Sequence, residues 1–290
     1  MFPRLGTLDD PPPAIIAGAP KTSAPPLLAR PPALTSHNGE DTLPTVKAVA
    51  IIPARYASSR FPGKLLAKET GKYLIQHVYE QARRAARLGD VIVAADDPRI
   101  ADAVRSFGGK AVMTRADHPS GSDRVAEVAA GLTADVIVNV QGDEPEIDPA
   151  YIDQLVDLMA ADKDIPIGTL ACPFPKDTDP SDPNAVKVVC DARGRALYFS
   201  RALIPFPRDT GGRPTEPHRW LLHLGIYAYR REFLLKLATL PPTPLELDEK
   251  LEQLRVLENG YPLAVGLVNQ ATIGIDTPED YAAFVKRHGR

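Results

Sequence analysis

From Lys47 onward, short apolar runs alternate with amphipathic segments, and this order restricts the possible folds more than any other feature. Helical spacing of apolar residues predicts helices over 73–88 and 98–107, the second starting with a proline in its first turn. The order predicts an α/β fold, in which a mainly parallel twisted sheet is flanked by helices and ligands bind beyond the carboxyl ends of the strands. The apolar runs predicted as its buried strands are 48–52, 91–95, 110–113 and 135–140.

The second half of the chain begins with a different pattern. Residues 166–230 contain many prolines between predicted strands, which indicates a smaller α+β insertion. The α/β order then returns, with a helix over 246–258, a strand over 262–268 and a closing helix after Pro278. The strands predicted inside the insertion are 185–190, 196–200 and 223–229, and the buried stripe predicted for the 246–258 helix is Leu247, Leu251, Leu254 and Leu257.

Residues 1–46 form a proline-rich stretch with little periodic pattern, which predicts a disordered extension. A passive tail, or a start site assigned too far upstream, is favoured over a segment that docks a partner. The formal net charge of -3 argues against a nucleic-acid or polybasic membrane partner. Two cysteines and no apolar run of about 20 residues predict a soluble, cytoplasmic protein.

The first chemical motif follows the first predicted strand, in residues 51–64. Arg55, Arg60 and Lys64, with Ser58 and Ser59 between them, would stand at the edge where ligands bind, and such a set suits a triphosphate. The Gly-x-x-x-x-Gly-Lys-Ser/Thr pattern of a Walker A loop is absent from this segment. A solvated basic loop remains the alternative for this motif taken alone.

Two further motifs contain carboxylates, and the first of them places Asp143 at the same edge. Asp143 follows the 135–140 strand in a polar turn, and Asp276 precedes the predicted closing helix. A carboxylate at this edge suits Mg²⁺, which keeps most of its waters and bridges to phosphate oxygens. Taken alone, the first turn is more often a set of solvent-exposed acids, and Asp276 or Thr277 is as consistent with a helix cap.

Taken together, the motifs resemble the 3-deoxy-manno-octulosonate cytidylyltransferase (CMP-Kdo synthetase) family. The resemblance covers the chain from about residue 47 to the C-terminus, and the 1–46 extension has no counterpart in the family pattern. Eight ordered blocks carry it: Ile-Pro-Ala-Arg-Tyr-Ala-Ser-Ser-Arg at 52–60, Met-Thr-Arg-Ala-Asp-His at 113–118, Val-Gln-Gly-Asp-Glu-Pro at 140–145, Pro-Asn-Ala-Val-Lys-Val-Val at 183–189, Tyr-Phe-Ser-Arg-Ala at 198–202, His-Leu-Gly-Ile-Tyr at 223–227, Leu-Glu-Gln-Leu-Arg at 251–255 and Asp-Thr-Pro-Glu-Asp at 276–280.

The resemblance implies a nucleotide-diphospho-sugar transferase fold, which is Rossmann-like, a homodimer and a Mg²⁺-dependent transfer of CMP from CTP to Kdo. It implies that Asp143 and Asp276 hold Mg²⁺ and act in catalysis with Arg60 and Lys64. It also assigns sugar binding or dimerisation to the 166–230 insertion. The residues it assigns to the nucleotide are Ala54, Arg55, Ser58, Ser59, Arg60, Lys64, Ser120, Asp123 and Arg124.

For the sugar, the resemblance implies Gln141, His223, Tyr227, Glu246 and Gln253. The strand period puts His223 and Tyr227 on one face, and a continuous helix would put Glu246 and Gln253 on one side. A core histidine and a packed aromatic remain alternatives for the strand pair. Another acidic sugar, such as 8-amino-Kdo or a nonulosonate, and a non-catalytic nucleotide-binding protein remain alternatives for the function. No side-chain general base emerges from the sequence.

Overall fold

The computed structural model describes residues 46–57 and 60–289, so the predicted extension, apart from Val46, and both Ser58 and Ser59 lie outside the described residues. No helix in these ranges is long and apolar enough to cross a membrane. Nine strands and eight α-helices are described there, in this order: β1 Ala48–Ala54, α1 Leu74–Arg83, β2 Leu88–Ala95, α2 Pro98–Ser106, β3 Ala111–Met113, α3 Gly121–Ala130, β4 Val136–Asn139, α4 Pro149–Ala161, β5 Ile167–Pro173, β6 Lys187–Cys190, β7 Ala196–Ser200, β8 Leu221–Arg230, α5 Arg231–Leu237, α6 Pro244–Glu249, α7 Gln253–Glu258, β9 Leu263–Leu267 and α8 Pro278–His288.

The strands form one mixed sheet in the order β3-β2-β1-β4-β8-β5-β9, with β6 and β7 off this path. The four strands from β3 to β4 are parallel to one another, and β5 is parallel to β9. Helical crossovers connect the parallel strands, as the alternation of the sequence predicts. The α/β class predicted from the sequence is confirmed.

Both faces of the sheet are covered because its central strands are apolar on both sides. In β1, Ile52 packs into one hydrophobic layer and Ile51 into the other, as the two-residue period of a strand requires. Helices α1, α2, α4 and α8 cover the Ile52 face, while α3, α5 and α7 cover the Ile51 face. Since the core closes both faces, polar groups at the carboxyl ends of the strands are left to bind ligands.

The segment 166–230 begins and ends inside this sheet. Strand β5 was not predicted, and β8 is longer than the predicted 223–229 strand. The ten residues of β8 run antiparallel between β4 and β5, and the first of them also pair with β6. One long strand therefore serves both the main sheet and the β6–β7 hairpin. The assignment of this segment to sugar binding or dimerisation stays a prediction.

The helix predicted over 246–258 is wrong as a continuous element. Lys250 adopts a left-handed conformation, with φ of 54°, and separates α6 from α7. The break lets Glu246 form a two-point ion pair with Arg255, at 2.7 and 2.5 Å. In an unbroken helix these residues would be about 13.5 Å apart along the axis. Leu247, predicted in the buried stripe, is instead half exposed.

Candidate active site

The four residues predicted to carry the chemistry meet at the carboxyl edge of the sheet. Nζ of Lys64 donates to Oδ2 of Asp143 at 2.7 Å and lies 3.6 Å from Oδ1 of Asp276. Arg60 reaches the same Asp276 oxygen at 2.9 Å. Lys64 also donates to the carbonyl of Ile275 at 2.8 Å and is largely buried, with 11% of its side chain exposed. Two carboxylates and two cations therefore form one charged cluster.

Main-chain contacts fix the turn that carries Asp143 relative to the segment that carries Asp276. The N–H of Ile275 donates to the carbonyl of Asp143 at 2.8 Å, so residues far apart in sequence share a hydrogen bond. Gly142 lies directly against the end of β1, where an added Cβ would stand 2.9 Å from the carbonyl oxygen of Pro53. The glycine therefore permits the close approach that places Asp143 beside Lys64.

Replacing Gly142 with alanine should disturb this placement. Since the neighbouring atom belongs to the backbone of a central strand, the 141–143 turn must shift. We expect the free energy of unfolding to fall by about 1–3 kcal/mol, as for other overpacked sites. We expect turnover to fall by a larger fraction of its wild-type value than the free energy of unfolding does. Urea unfolding and a turnover assay check both. Gly131→Ala is a control, because the nearest atom to its added Cβ lies 3.7 Å away; equal losses in both variants would contradict the argument.

The cluster fits a divalent cation that binds through carboxylates. The described residues contain no group of three or more His, Cys, Asp or Glu side chains suited to a metal, which excludes an all-protein cage there. Mg²⁺ typically takes one or two carboxylates and completes its shell with water and substrate phosphates. Asp143 and Asp276 match that requirement, and the ammonium group of Lys64 marks the position between them as one that favours a cation.

The residues predicted for the nucleotide lie around the ends of β1 and β3. Ala54 is buried at the end of β1, and Arg55 donates to the carbonyl of His118 at 2.8 Å. Ser120 caps α3 by accepting from the N–H of Asp123. Arg124 is fully buried, and its Nε and Nη2 lack hydrogen-bond partners among the described residues. Nη2 of Arg124 lies 3.6 Å from Oδ2 of Asp96, so the buried guanidinium already faces a carboxylate.

A cavity of about 210 Å³ opens between β4, β8 and the start of α7. Gln141, Tyr227 and Gln253, three of the residues predicted for the sugar, line it. Oδ1 of Asn139, also in the lining, is buried without a hydrogen-bond partner in the described part of the chain. The remaining lining residues are Gly121, Ser122, Ile167, Tyr229, Leu237, Glu252 and Val256.

Glu252 is a cavity residue that the sequence analysis missed. Burial raises the pKa of its carboxyl above the ordinary value of 4.5, while hydrogen bonds with Ser122 and Ser120 oppose the shift. Its place beside Gln253 in the 251–255 block was the available signal, whereas the family resemblance implied Glu246.

The two other predicted sugar residues do not line the cavity. The carboxylate of Glu246 is occupied by Arg255 and by the N–H of Thr243. His223 lies behind Tyr227, with ring centroids 5.5 Å apart, and shares a hydrogen bond of 3.0 Å with Thr169. Burial lowers the pKa of His223 to about 3, so its imidazole is neutral at physiological pH. His223 can therefore support Tyr227 but carries no charge.

Comparison with known proteins gives one consistent family. Residues 49–269 match the family described as Cytidylyltransferase. The 3-deoxy-manno-octulosonate cytidylyltransferase of Geobacter metallireducens is 52% identical over 251 residues, which cover 84% of this chain and 99% of that protein. The protein of the same name from Syntrophotalea carbinolica is 54% identical over 236 residues, which cover 80% of this chain and 94% of that protein.

Comparison with solved structures gives the same family. CMP:2-keto-3-deoxy-manno-octonic acid synthetase, solved in complex with CTP, has a TM-score of 0.76 and 45% sequence identity, covering 83% of this chain and 97% of its own. A putative glucose-1-phosphate thymidylyltransferase from Bacillus anthracis, at 16% identity and a TM-score of 0.58, shares the fold alone; it covers 83% of this chain and 95% of its own.

Proposed function

Because the chain belongs to the cytidylyltransferase family, among the 3-deoxy-manno-octulosonate cytidylyltransferases, we propose that it transfers CMP from CTP to 3-deoxy-D-manno-octulosonate (Kdo) and releases pyrophosphate. Membership makes the chain a nucleotidyltransferase enzyme and confirms the resemblance drawn from the eight sequence blocks. The relatives carry the name of the sugar, and the site of this chain supports the same substrate.

One observation carries the proposal: a single turn joins the polar cavity to the charged cluster. Gln141 lines the cavity, and Asp143, two residues later, lies beside Lys64. A sugar held in the cavity would therefore have its reacting hydroxyl close to a triphosphate held at the cluster. Such transfers depend mainly on positioning and charge neutralisation, which this arrangement supplies.

In the proposed mechanism, the anomeric hydroxyl of the sugar attacks the α-phosphorus of CTP in line with the departing pyrophosphate. Arg60 and Lys64 neutralise charge on the pyrophosphate, and Arg55 binds phosphate oxygens of the nucleotide. Asp143 and Asp276 would hold Mg²⁺. When bound, this ion lowers the pKa of the attacking hydroxyl and neutralises phosphate charge.

The cavity residues orient the sugar. Glu252 accepts hydrogen bonds from sugar hydroxyls, and the unpartnered Oδ1 of Asn139 provides a second acceptor. Gln141 and Gln253 provide amide groups that donate and accept, and Tyr227 provides an aromatic wall. Helix α3 begins at Gly121 in the lining, and its positive end offsets the charge of Glu252.

The direct test is pyrophosphate release from the purified protein with CTP, Mg²⁺ and Kdo. Release that needs Kdo and stops with EDTA is the expected result. Parallel reactions with 8-amino-Kdo and N-acetylneuraminate decide the sugar, because specificity rests on a few cavity contacts. Release with one of these sugars alone would keep the chemistry and change the substrate, and no release with any sugar would favour a nucleotide-binding protein.

From the resemblance of the sequence blocks, we also propose a homodimer that supplies activated Kdo for lipopolysaccharide synthesis in the cytoplasm. Two large apolar side chains in the 166–230 segment, Leu197 and Phe206, are 63% and 66% exposed, which suits a contact between protomers. Light scattering coupled to size-exclusion chromatography gives the mass of the assembly. A monomer at micromolar concentration would contradict this part of the proposal.

Lys64 should compete with the metal for the two carboxylates. In Lys64→Met, Asp143 and Asp276 lose the ammonium group that lies between them, so their uncompensated charge favours a divalent ion. We expect Mn²⁺ to bind the nucleotide-free variant about tenfold more tightly than the wild type, an effect of roughly 1.4 kcal/mol. Electron paramagnetic resonance of free Mn²⁺ measures this without turnover.

Lys72→Met is the matched control for this measurement, since Lys72 pairs with Glu80 on the surface. Unchanged Mn²⁺ affinity in Lys64→Met would contradict the competition between the lysine and the metal. An equal gain in both variants would contradict it as well, because the effect would then come from net charge.

A further inference from the structure

The turn between β3 and α3 holds the side chain of Arg55, which belongs to the basic motif in residues 51–64. Nη2 of Arg55 donates to the carbonyl oxygen of His118 at 2.8 Å. Arg55 is exposed, and this is the one hydrogen bond that its side chain makes within the described residues. The direction in which Arg55 projects therefore depends on the position of the His118 carbonyl.

The carboxylate of Glu127, on α3, holds that turn through two contacts. Oε2 of Glu127 accepts from the backbone N–H of Arg115 at 3.2 Å and also contacts Nε2 of His118. The hydrogen bond from His118, whose side chain is almost fully buried, lowers the pKa of Glu127. The carboxylate is thus ionised at neutral pH and holds both ends of the 115–118 segment.

Glu127 lies outside the sugar cavity. It lines a separate surface hollow together with Leu235 and Ala238, which come from α5 and the residues that follow it. Arg124, one helical turn earlier, holds the near side of the same turn by donating to the carbonyl of Arg115 at 2.9 Å. Helix α3 therefore holds the turn at two points, through Arg124 and Glu127, and Asp123, which is predicted for the nucleotide, lines the same hollow as Glu127.

We propose that Glu127 is a positioning residue for nucleotide binding: it fixes the 115–118 turn, and the His118 carbonyl in turn directs Arg55 toward the phosphates of CTP. This inference rests on the proposed function, because the role of Arg55 comes from it. Glu127 touches no substrate and acts through Arg55 alone.

Glu127→Gln tests the inference with little change in shape. Both contacts fall on one oxygen, Oε2, whose place the amide oxygen can take, but that oxygen carries no charge and is a weaker acceptor for the Arg115 N–H and for Nε2 of His118. We expect the Kd for CTP, measured by calorimetry without sugar, to rise about tenfold, a value within the range for residues coupled in one network. We also expect kcat at saturating CTP to stay within about twofold, because Glu127 does not act on the reacting atoms.

A double-mutant cycle separates positioning from a general loss of structure. In an Arg55→Met background, Glu127→Gln should have no further effect on the Kd, because the residue through which it acts is gone. Glu232→Gln is the control: Glu232 is an exposed glutamate on the neighbouring α5, with no ion pair or side-chain hydrogen bond among the described residues, so its Kd should equal that of the wild type. Thermal unfolding of each variant accompanies the titrations.

Three results would overturn the inference. They are an unchanged Kd in Glu127→Gln, the same rise in Kd with and without Arg55, and an unchanged Kd in Arg55→Met while the wild type binds CTP. Each leaves the proposed function standing. Failure of the wild type itself to bind CTP would overturn both the inference and the proposed function.

Discussion

Asp143→Asn is expected to lower kcat by about 10²–10³-fold, the range seen when one preorganised electrostatic contact is lost from an active site. Asparagine keeps the shape of the side chain but loses the charge that faces Lys64 and would hold the metal with Asp276. Pyrophosphate release at saturating CTP, Kdo and Mg²⁺ measures the loss. The Tm should change by about 2–4 °C at most, because asparagine still accepts from Lys64, which keeps Asp276 and the carbonyl of Ile275 as partners, so that the loss is about 1 kcal/mol.

Asp148→Asn provides the matched control for this variant. Asp148 follows in the same loop and caps α4 by accepting from the N–H of Ala150 at 2.9 Å, a role that asparagine fills equally well. The control should retain full turnover. Near-normal turnover of Asp143→Asn would remove Asp143 from the mechanism, and an equal loss in Asp148→Asn would mean that the shape of the loop matters rather than the charge.

Glu252→Gln is expected to lower kcat/KM for the sugar by about 10²-fold, because a hydrogen bond to a charged group contributes about 1.5–3 kcal/mol. The Kd for CTP should not change, since Glu252 lies in the cavity rather than at the charged cluster. Steady-state kinetics with varied Kdo, and calorimetry with CTP, separate the two effects. Glu258→Gln, an exposed change on the same helix, should leave both values unchanged; an equal loss there would contradict the assignment.

Glu252→Gln should also be more stable than the wild type at neutral pH. Burial raises the pKa of Glu252 in the folded protein, so the folded state binds more protons than the unfolded state as the pH rises above 4.5. Stability therefore falls as the pH increases through the raised pKa, and glutamine removes this loss. We expect the gain in Tm to be present at pH 8 and to shrink toward pH 4.5. A constant difference across this range would contradict the titration of Glu252.

The charged cluster was predictable because its members follow strand ends. Residues such as Asp143 come directly after an apolar run, and in a parallel sheet such positions meet at one edge. Asp276 was placed by its sequence block, and the ion pairs with Arg60 and Lys64 show why it belongs there. The placement of Asp143 needed only local patterns and one rule of topology, whereas that of Asp276 needed the family resemblance.

The cavity was less predictable because it depends on contacts between distant residues. Helical periodicity over 246–258 is sound locally, yet the Glu246–Arg255 pair and the left-handed Lys250 divide the helix. The division leaves Glu246 out of the cavity lining and brings in Glu252. Strand β8 was assigned to the insertion because its antiparallel pairing with β4 and β5 leaves no local trace in the sequence.

The placement of β8 also governs how the chain assembles as it leaves the ribosome. The parallel unit of β3, β2, β1 and β4 is complete by Asn139, whereas the other partner of β4 is synthesised only with Leu221–Arg230. Translation of the intervening ~90 residues takes roughly 5–20 s, during which the outer edge of β4 in the nascent protein has no strand to pair with. Asp276 emerges later still, so a nascent chain that has already built most of its sheet lacks a complete charged cluster until its final helix begins.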